Sequence, residues 1–145
     1  MIALIQRVTQ AHVDVAGARI ASIGTGLLAL IGVRPDDDPQ SAQRLLERVL
    51  GYRVFADEQG RMNLSLADIG GGLLLVPQFT LAATTHQGAR PGFSTAASPA
   101  HAQPLFEALV AAARSAHPLV ACGCFGANMQ LSLINDGPVT FWLEN

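Results

Sequence analysis

The chain opens on an apolar stretch, residues 2–15, rich in Ile, Val and Leu. It leads into Val15-Ala16-Gly17-Ala18-Arg19-Ile20, the composition of a hairpin turn between strands. Gly24-Thr25-Gly26 then breaks to a continuous apolar run at residues 27–33. A run without alternation predicts a strand covered on both faces. Asp36-Asp37-Asp38-Pro39 predicts a helix start, with Asp38 as N-cap and Pro39 at the first helical position. Ala42, Leu45, Leu46, Val49 and Leu50 recur at helical spacing, and Gly51 can end the helix. Strand character returns at residues 52–55, followed by the turn Asp57-Glu58-Gln59-Gly60. Gly70-Gly71-Gly72 precedes a second buried strand, residues 73–76, which runs into Pro77-Gln78-Phe79-Thr80-Leu81.

Residues 84–97 hold Gly88, Pro91, Gly92 and several hydroxyls with little apolar periodicity. They read as a long loop, a kind of segment that is commonly functional in compact domains. Ser98-Pro99 repeats the cap-then-proline device, and Leu105, Phe106, Leu109, Val110 and Ala113 supply the buried face of a second helix, stopped by Pro118. Residues 119–124, 127–134 and 139–143 read as strands, the last two joined by a tight turn at Asn135-Asp136-Gly137-Pro138. The order of strands, two strand–helix units, then strands predicts an α/β fold. Its architecture is a mixed β-sheet with two packed helices, in one domain spanning residues 1–145.

Composition narrows the classes. A chain of 145 residues can bury a substantial core, roughly two thirds of its unfolded surface. Half of the residues are hydrophobic and only 14% are charged, which leaves apolar surface for a partner chain and predicts a homo-oligomer. The apolar runs fall far short of the ~20 residues a spanning helix requires, and the first residues lack the pattern of a signal peptide. The expectation is a cytoplasmic protein with no membrane association. All nine basic residues are arginine and the net charge is −2, so any nucleic-acid contact is expected to be local, at one end of the molecule. Cys122 and Cys124 flank Gly123 without a second ligand pair at metal spacing, and read as buried free thiols.

Familiar catalytic signatures are missing: there is no nucleophile elbow, phosphate-binding glycine loop, dinucleotide fingerprint or metal-ligand cluster. No metal or organic cofactor is expected. His12, His86, His101 and His117 are scattered and read as surface or helix-end residues. Two constellations remain. In Pro77-Gln78-Phe79-Thr80, Thr80 is either a nucleophile or a hydrogen-bonding group, and N–H groups freed at the strand end could form an oxyanion hole. On these residues alone, a polar strand terminus accounts for the block. Asn135-Asp136-Gly137-Pro138-Val139-Thr140 is, on its own, ordinary turn chemistry.

Together, however, these blocks resemble a specific family. Gln78-Phe79-Thr80-Leu81, Arg90-Pro91-Gly92-Phe93, Phe125-Gly126-Ala127-Asn128-Met129 and Asn135-Asp136-Gly137-Pro138-Val139-Thr140 are similar to the signature blocks of D-aminoacyl-tRNA deacylases. Ile5-Gln6-Arg7-Val8, Phe55-Ala56-Asp57 and Met62-Asn63-Leu64-Ser65 match as well. The blocks occur in family order over essentially the whole chain.

The resemblance implies a hydrolase acting on the ester of D-aminoacyl-tRNA, with the tRNA acceptor end as partner. It also implies activity on glycyl-tRNA mischarged on tRNA(Ala). The implied assembly is a homodimer with active sites at the subunit interface. In it, Gly137-Pro138 carries a cis peptide bond, enters the neighbouring site and excludes L side chains. Thr80, Gln78 and Phe79 are implied to position and polarise the ester while the terminal ribose 2′-OH helps activate water. Arg7 is implied to brace the Gly-Pro element, with Phe79, Phe125 and Met129 lining the pocket.

The chain departs from the commonest family pattern at Pro77, where serine is frequent, and at Gln87, Gly92 and Asn128, where lysine, serine and aspartate are usual. Two other readings compete. One is a relative with a trans Gly-Pro bond that acts on a small L-aminoacyl-tRNA; the other is a non-catalytic module that binds an RNA end or a metabolite.

Overall fold

A computed structural model describes residues 1–86 and 88–145; Gln87, one of the departures, lies outside the described residues. The chain runs β1 (Ile2–Val15), β2 (Ala18–Ile23), β3 (Gly26–Gly32), α1 (Pro39–Gly51), β4 (Phe55–Ala56), β5 (Met62–Leu64), α2 (Leu66–Ile69), β6 (Gly72–Pro77), a 3-10 turn (Phe79–Ala82), α3 (Pro99–Ala116), β7 (Val120–Cys122) and β8 (Met129–Glu144). β1 is the organising strand, antiparallel to β2, β3 and β8. β3, β6 and β7 continue the sheet in parallel. The mixed sheet is as expected, and the helices among the described residues number three, not two. The short α2 is capped by Ser65, whose Oγ accepts from the Asp68 N–H.

α1 begins as its sequence dictates. Asp38 sits at the N-cap in an extended conformation and its Oδ1 accepts from the Ser41 N–H at 2.7 Å. That N–H, with the Ser41 hydroxyl, holds the Asp38 carboxyl below its ordinary range. Ala42, Leu45, Leu46 and Val49 form its buried face. α3 starts at Pro99 without a side-chain cap from Ser98, buries Leu105, Phe106, Leu109, Val110 and Ala113, and ends before Pro118. The two helices cover one face of the sheet, over Ala3, Ile5, Leu27, Ala29, Ile31, Leu73 and Leu75.

The other face carries a second core of Val8, Ala11, Val13, Ala21, Leu28, Leu74 and Val76. β1 serves it from even and then odd positions because its ladder with β8 slips between Val8 and Gln10. An extra residue there reverses the alternation, so Ala11 and Val13 continue the face that Val8 began. β3 and β6 are buried on both sides, as continuous apolar runs should be. Their backbones meet closely at one end: a Cβ on Gly26 would lie 1.9 Å from the Gly72 oxygen.

β8 corrects the expectation of two strands joined by a tight turn. Both halves pair with β1, residues 140–144 against 2–6 and residues 129–135 against 8–15. Between them β1 advances only from Gln6 to Val8 while β8 passes from Thr140 back to Asn135. Residues 136–139 therefore stand out of the ladder as a protruding tip on a single strand. No helix among the described residues is long and apolar enough to cross a membrane.

Candidate active site

Beyond the carboxyl ends of the parallel strands β3 and β6 lies a cleft of about 760 Å³, within the range that holds small ligands. Ile31, Val76 and Pro77 form its floor, and the N-terminal part of α3 contributes Ala102 and Phe106 to one wall. Phe125 and Met129, two of the expected site residues, line it together with Gln78 and Phe79. The polar side chains of the lining are Gln78 and Ser98. None of the described lining residues is histidine, acidic or basic. Pro77 ends β6 beyond the last residue paired with β7, so its missing N–H interrupts no ladder bond on that side.

The strand end gives way to the 3-10 turn that carries Thr80. Gln78 donates its backbone N–H to the Ile31 carbonyl at 2.7 Å, and its side-chain amide donates to the Thr80 hydroxyl. Leu81 N–H bonds to Gln78 O and Ala83 N–H to Thr80 O, each at 3.2 Å. That pattern leaves the Phe79 and Thr80 N–H groups without an acceptor inside the turn. Gln78 and Phe79 line the cleft, whereas Thr80, next in the turn, is not among its lining residues and meets it only through Gln78. Phe79 is 56% exposed and packs against Phe93, ring centroids 5.3 Å apart. Phe93 comes from the loop, which is tied back by paired Thr84–Gly92 backbone bonds. The Thr95 hydroxyl, which donates to Ala82 O at 2.5 Å, ties it further.

On the opposite side of the cleft, Met129 Sδ accepts from the Cys124 N–H at 3.3 Å and closes the turn that carries Phe125. The Phe125 ring lies 6.3 Å from that of Phe106. Both cysteines are free, but the expectation of burial is corrected: Cys124 is exposed and Cys122 partly so. β7 ends at Cys122 and lies at the edge of the sheet, next to β6, so Cys124 falls past the end of an edge strand.

Gly137 and Pro138 do not line this cleft; they form the exposed tip of β8, joined by a cis peptide bond. Arg7 reaches the tip from β1. Its Nε donates to Asp136 O at 3.1 Å, with Asp136 Oδ2 at 3.4 Å, and its Nη1 donates to Val54 O at 2.6 Å. Gly137 has φ +131°, a value L side chains rarely adopt, and a Cβ there would lie 2.7 Å from Val139 Cγ2. Sequence reasoning assigned no role to Asn135, Gln6 or Val54. All three hold the tip or its brace through side-chain or carbonyl bonds, for which hydrophobic patterning gives no signal.

The histidines stay apart from the cleft. His12 lies 3.7 Å from Asp14 on the β1 ladder, and His101 meets Asp37 O at 2.8 Å. His117 caps α3, yet it is buried, its Nε2 2.6 Å from Gly71 O. Among the described residues no group of three or more His, Cys, Asp or Glu side chains is placed to hold a metal ion.

Fold and cleft define an α/β protein with an apolar cleft beyond the ends of parallel strands, between a strand-end turn and the start of a helix. The family model described as D-Tyr-tRNA(Tyr) deacylase matches residues 4–144, and the chain belongs to that family. It is 65% identical over 144 residues to the D-aminoacyl-tRNA deacylase of Azotobacter vinelandii, covering 99% of each chain. With that of Thioalkalivibrio sulfidiphilus it shares 62% over 144 residues, covering 99% of this chain and 97% of the relative. A solved structure titled c-Myc DNA Unwinding Element Binding Protein superposes with a TM-score of 0.96 at 36% identity, covering 100% of this chain and 99% of the other. A probable eukaryotic D-amino acid tRNA deacylase gives 0.88 at 17% identity over 99% and 98% of the two chains, a likeness of fold.

Proposed function

We propose that this chain hydrolyses the ester joining a D-amino acid to the terminal ribose of tRNA, with an aminoacyl-tRNA acceptor end as its partner. Family membership over residues 4–144 supports the reaction class. The observation that carries the mechanism is the cleft's polarity: Gln78 and Ser98 are its polar side chains, and no described lining residue can act as a strong base. The base function then falls to the substrate. The terminal 2′-OH helps a water molecule attack the ester carbonyl, the carbonyl oxygen gains negative charge, and the ribose 3′-oxygen leaves with a proton. The Phe79 and Thr80 N–H groups, free of acceptors inside the turn, stabilise that charge. Gln78 orients the Thr80 hydroxyl, and Phe79, Phe125 and Met129 hold the adenosine and aminoacyl groups.

Chirality is read by a second copy of the chain. Gly137 and Pro138 lie outside their own chain's cleft, on an exposed, arginine-braced tip, as a group built to enter a neighbouring one would. In the homodimer their carbonyl oxygens hold the substrate α-amino group. An L side chain would then point into backbone while a D side chain points outward, so selection works by exclusion. Glycine has no side chain to exclude, so glycyl-tRNA mischarged on tRNA(Ala) is also a substrate.

Incubation with D-tyrosyl-, L-tyrosyl- and glycyl-tRNA, with sedimentation in parallel, tests the reading. Hydrolysis of the D and glycyl substrates by a dimer, with the L ester spared, is expected. Equal rates on both enantiomers would overturn selection by the tip. Tight binding without hydrolysis would identify a non-catalytic RNA-end module instead.

A further inference from the structure

The tip of β8 is held from two sides, and one of them is independent of Arg7. Asn135 Oδ1 accepts the Val139 N–H at 2.9 Å, spanning the tip from its first flank to its last. A backbone N–H can only donate, so this bond fixes which end of the amide faces inward. The other end, Nδ2, donates to Thr140 Oγ1 at 2.8 Å, and Gln6 Nε2 donates to the same oxygen at 3.2 Å. Asn135, Val139 and Thr140 thus close a ring beneath Gly137 and Pro138, and Gln6 fastens that ring to β1. Residues 136–139 have no ladder partners on β1, so the Asn135 bond takes the place of a missing ladder bond.

We propose that Asn135 is a positioning residue for substrate selection: it sets the height and direction of the Gly137–Pro138 tip, with Thr140 as its anchor. The proposal rests on the reading of that tip as the element that distinguishes D from L. Arg7 holds the near side, at Asp136 O, whereas Asn135 holds the far side, at Val139. With only the near side held, the tip pivots about Asp136. A pivoting tip accommodates an L side chain that a fixed one excludes. Its loss therefore moves selectivity more than it moves the hydrolytic step.

Three variants test this. Asn135→Ala removes both bonds and should lower the ratio of kcat/KM for D- over L-tyrosyl-tRNA about tenfold, the scale of two modest hydrogen bonds. Asn135→Asp keeps an acceptor for the Val139 N–H and can accept from the Thr140 hydroxyl, so its ratio should stay within about twofold of wild type. Thr140→Val is isosteric, keeps the Asn135–Val139 bond, removes the anchor together with its Gln6 link, and should lower the ratio about threefold. A general loss of fold would lower both substrates together, and the ratio would not move. An unchanged ratio in Asn135→Ala, or equal falls in Asn135→Ala and Asn135→Asp, would overturn the proposal. If the wild type itself shows no preference for D over L, the reading of the tip fails separately. Crystal structures then decide the clip: Pro138 should be displaced in Asn135→Ala and unmoved in Asn135→Asp.

Discussion

Arg7 stands opposite the gap that Asp136 opens in the β1–β8 ladder, and its Nε donates to the Asp136 carbonyl oxygen at 3.1 Å. A second arm of the same guanidinium reaches Val54 O at 2.6 Å, so the segment after α1 and the tip of β8 are held by one planar group. Both bonds have a charged donor, and the side chain is 16% exposed, so each contributes more than an exposed neutral bond would.

Arg7→Ala should therefore lower kcat/KM on D-tyrosyl-tRNA about 10- to 100-fold, the range for charged hydrogen bonds. Arg7→Lys should rescue little, since an ammonium cannot span both carbonyls in the fixed geometry of a planar fork. Steady-state kinetics of the two variants checks this, and full activity in Arg7→Lys would count against the two-carbonyl brace.

Gly137→Ala tests the tip from within. The new methyl would meet Val139 Cγ2 at 2.7 Å and Arg7 Nη2 at 3.1 Å, at a φ of +131°. The strain, about 1–3 kcal/mol, should displace the tip rather than unfold the sheet, because the tip bears no ladder bonds. Discrimination between D- and L-tyrosyl-tRNA should fall while the circular-dichroism spectrum stays that of wild type.

Thr80→Ala should retain a measurable fraction of activity, because Gln78 is the side chain bonded to the hydroxyl and it is an amide, not a base. The companion experiment replaces the substrate's terminal 2′-OH by hydrogen, which should abolish turnover and leave binding largely intact. A trapped acyl-Thr80 adduct in the mass spectrum, or unchanged turnover of the 2′-deoxy substrate, would reverse the assigned mechanism.

Asp37 offers a test of stability away from the cleft. It is 8% exposed, and its carboxylate accepts from the Met1 ammonium at 2.5 Å and from Arg34 N–H at 2.7 Å. Asp37→Ala would remove the carboxylate facing the buried Met1 ammonium, leaving it only the Asn145 Oδ1 bond, at a cost of about 3 kcal/mol. Thermal unfolding should shift down by about 6–12 °C for a chain of this size. Activity per folded molecule at 25 °C should be unchanged.

Local signals were legible where neighbours in sequence determine the outcome. Asp38-Pro39 and the spacing of Ala42, Leu45 and Val49 define α1 as it stands, and the unbroken apolar runs of β3 and β6 mark strands covered on both faces. Asn135-Asp136-Gly137-Pro138 misled because its local chemistry is that of a turn. What keeps β8 a single strand is β1, more than a hundred residues away in sequence. α2 spans four residues, too short to show a helical period, and the 3-10 turn bearing Thr80 reads locally as a polar strand terminus. The candidate site residues were visible through the family blocks, not through spacing. The cleft draws Phe93 from a loop and Ala102 and Phe106 from α3, a convergence that only tertiary packing creates.

The two halves of β8 are zipped to β1 separately, and this makes the tip an adjustable instrument. Adding or removing a residue within 136–139 changes how far the tip reaches, yet neither half needs to shift its own pairing or turn its side chains to the opposite face. In a hairpin, the same edit would alter the turn on which both strands depend for alignment. Reach can thus be tuned, by mutation or by design, with the sheet beneath it left intact.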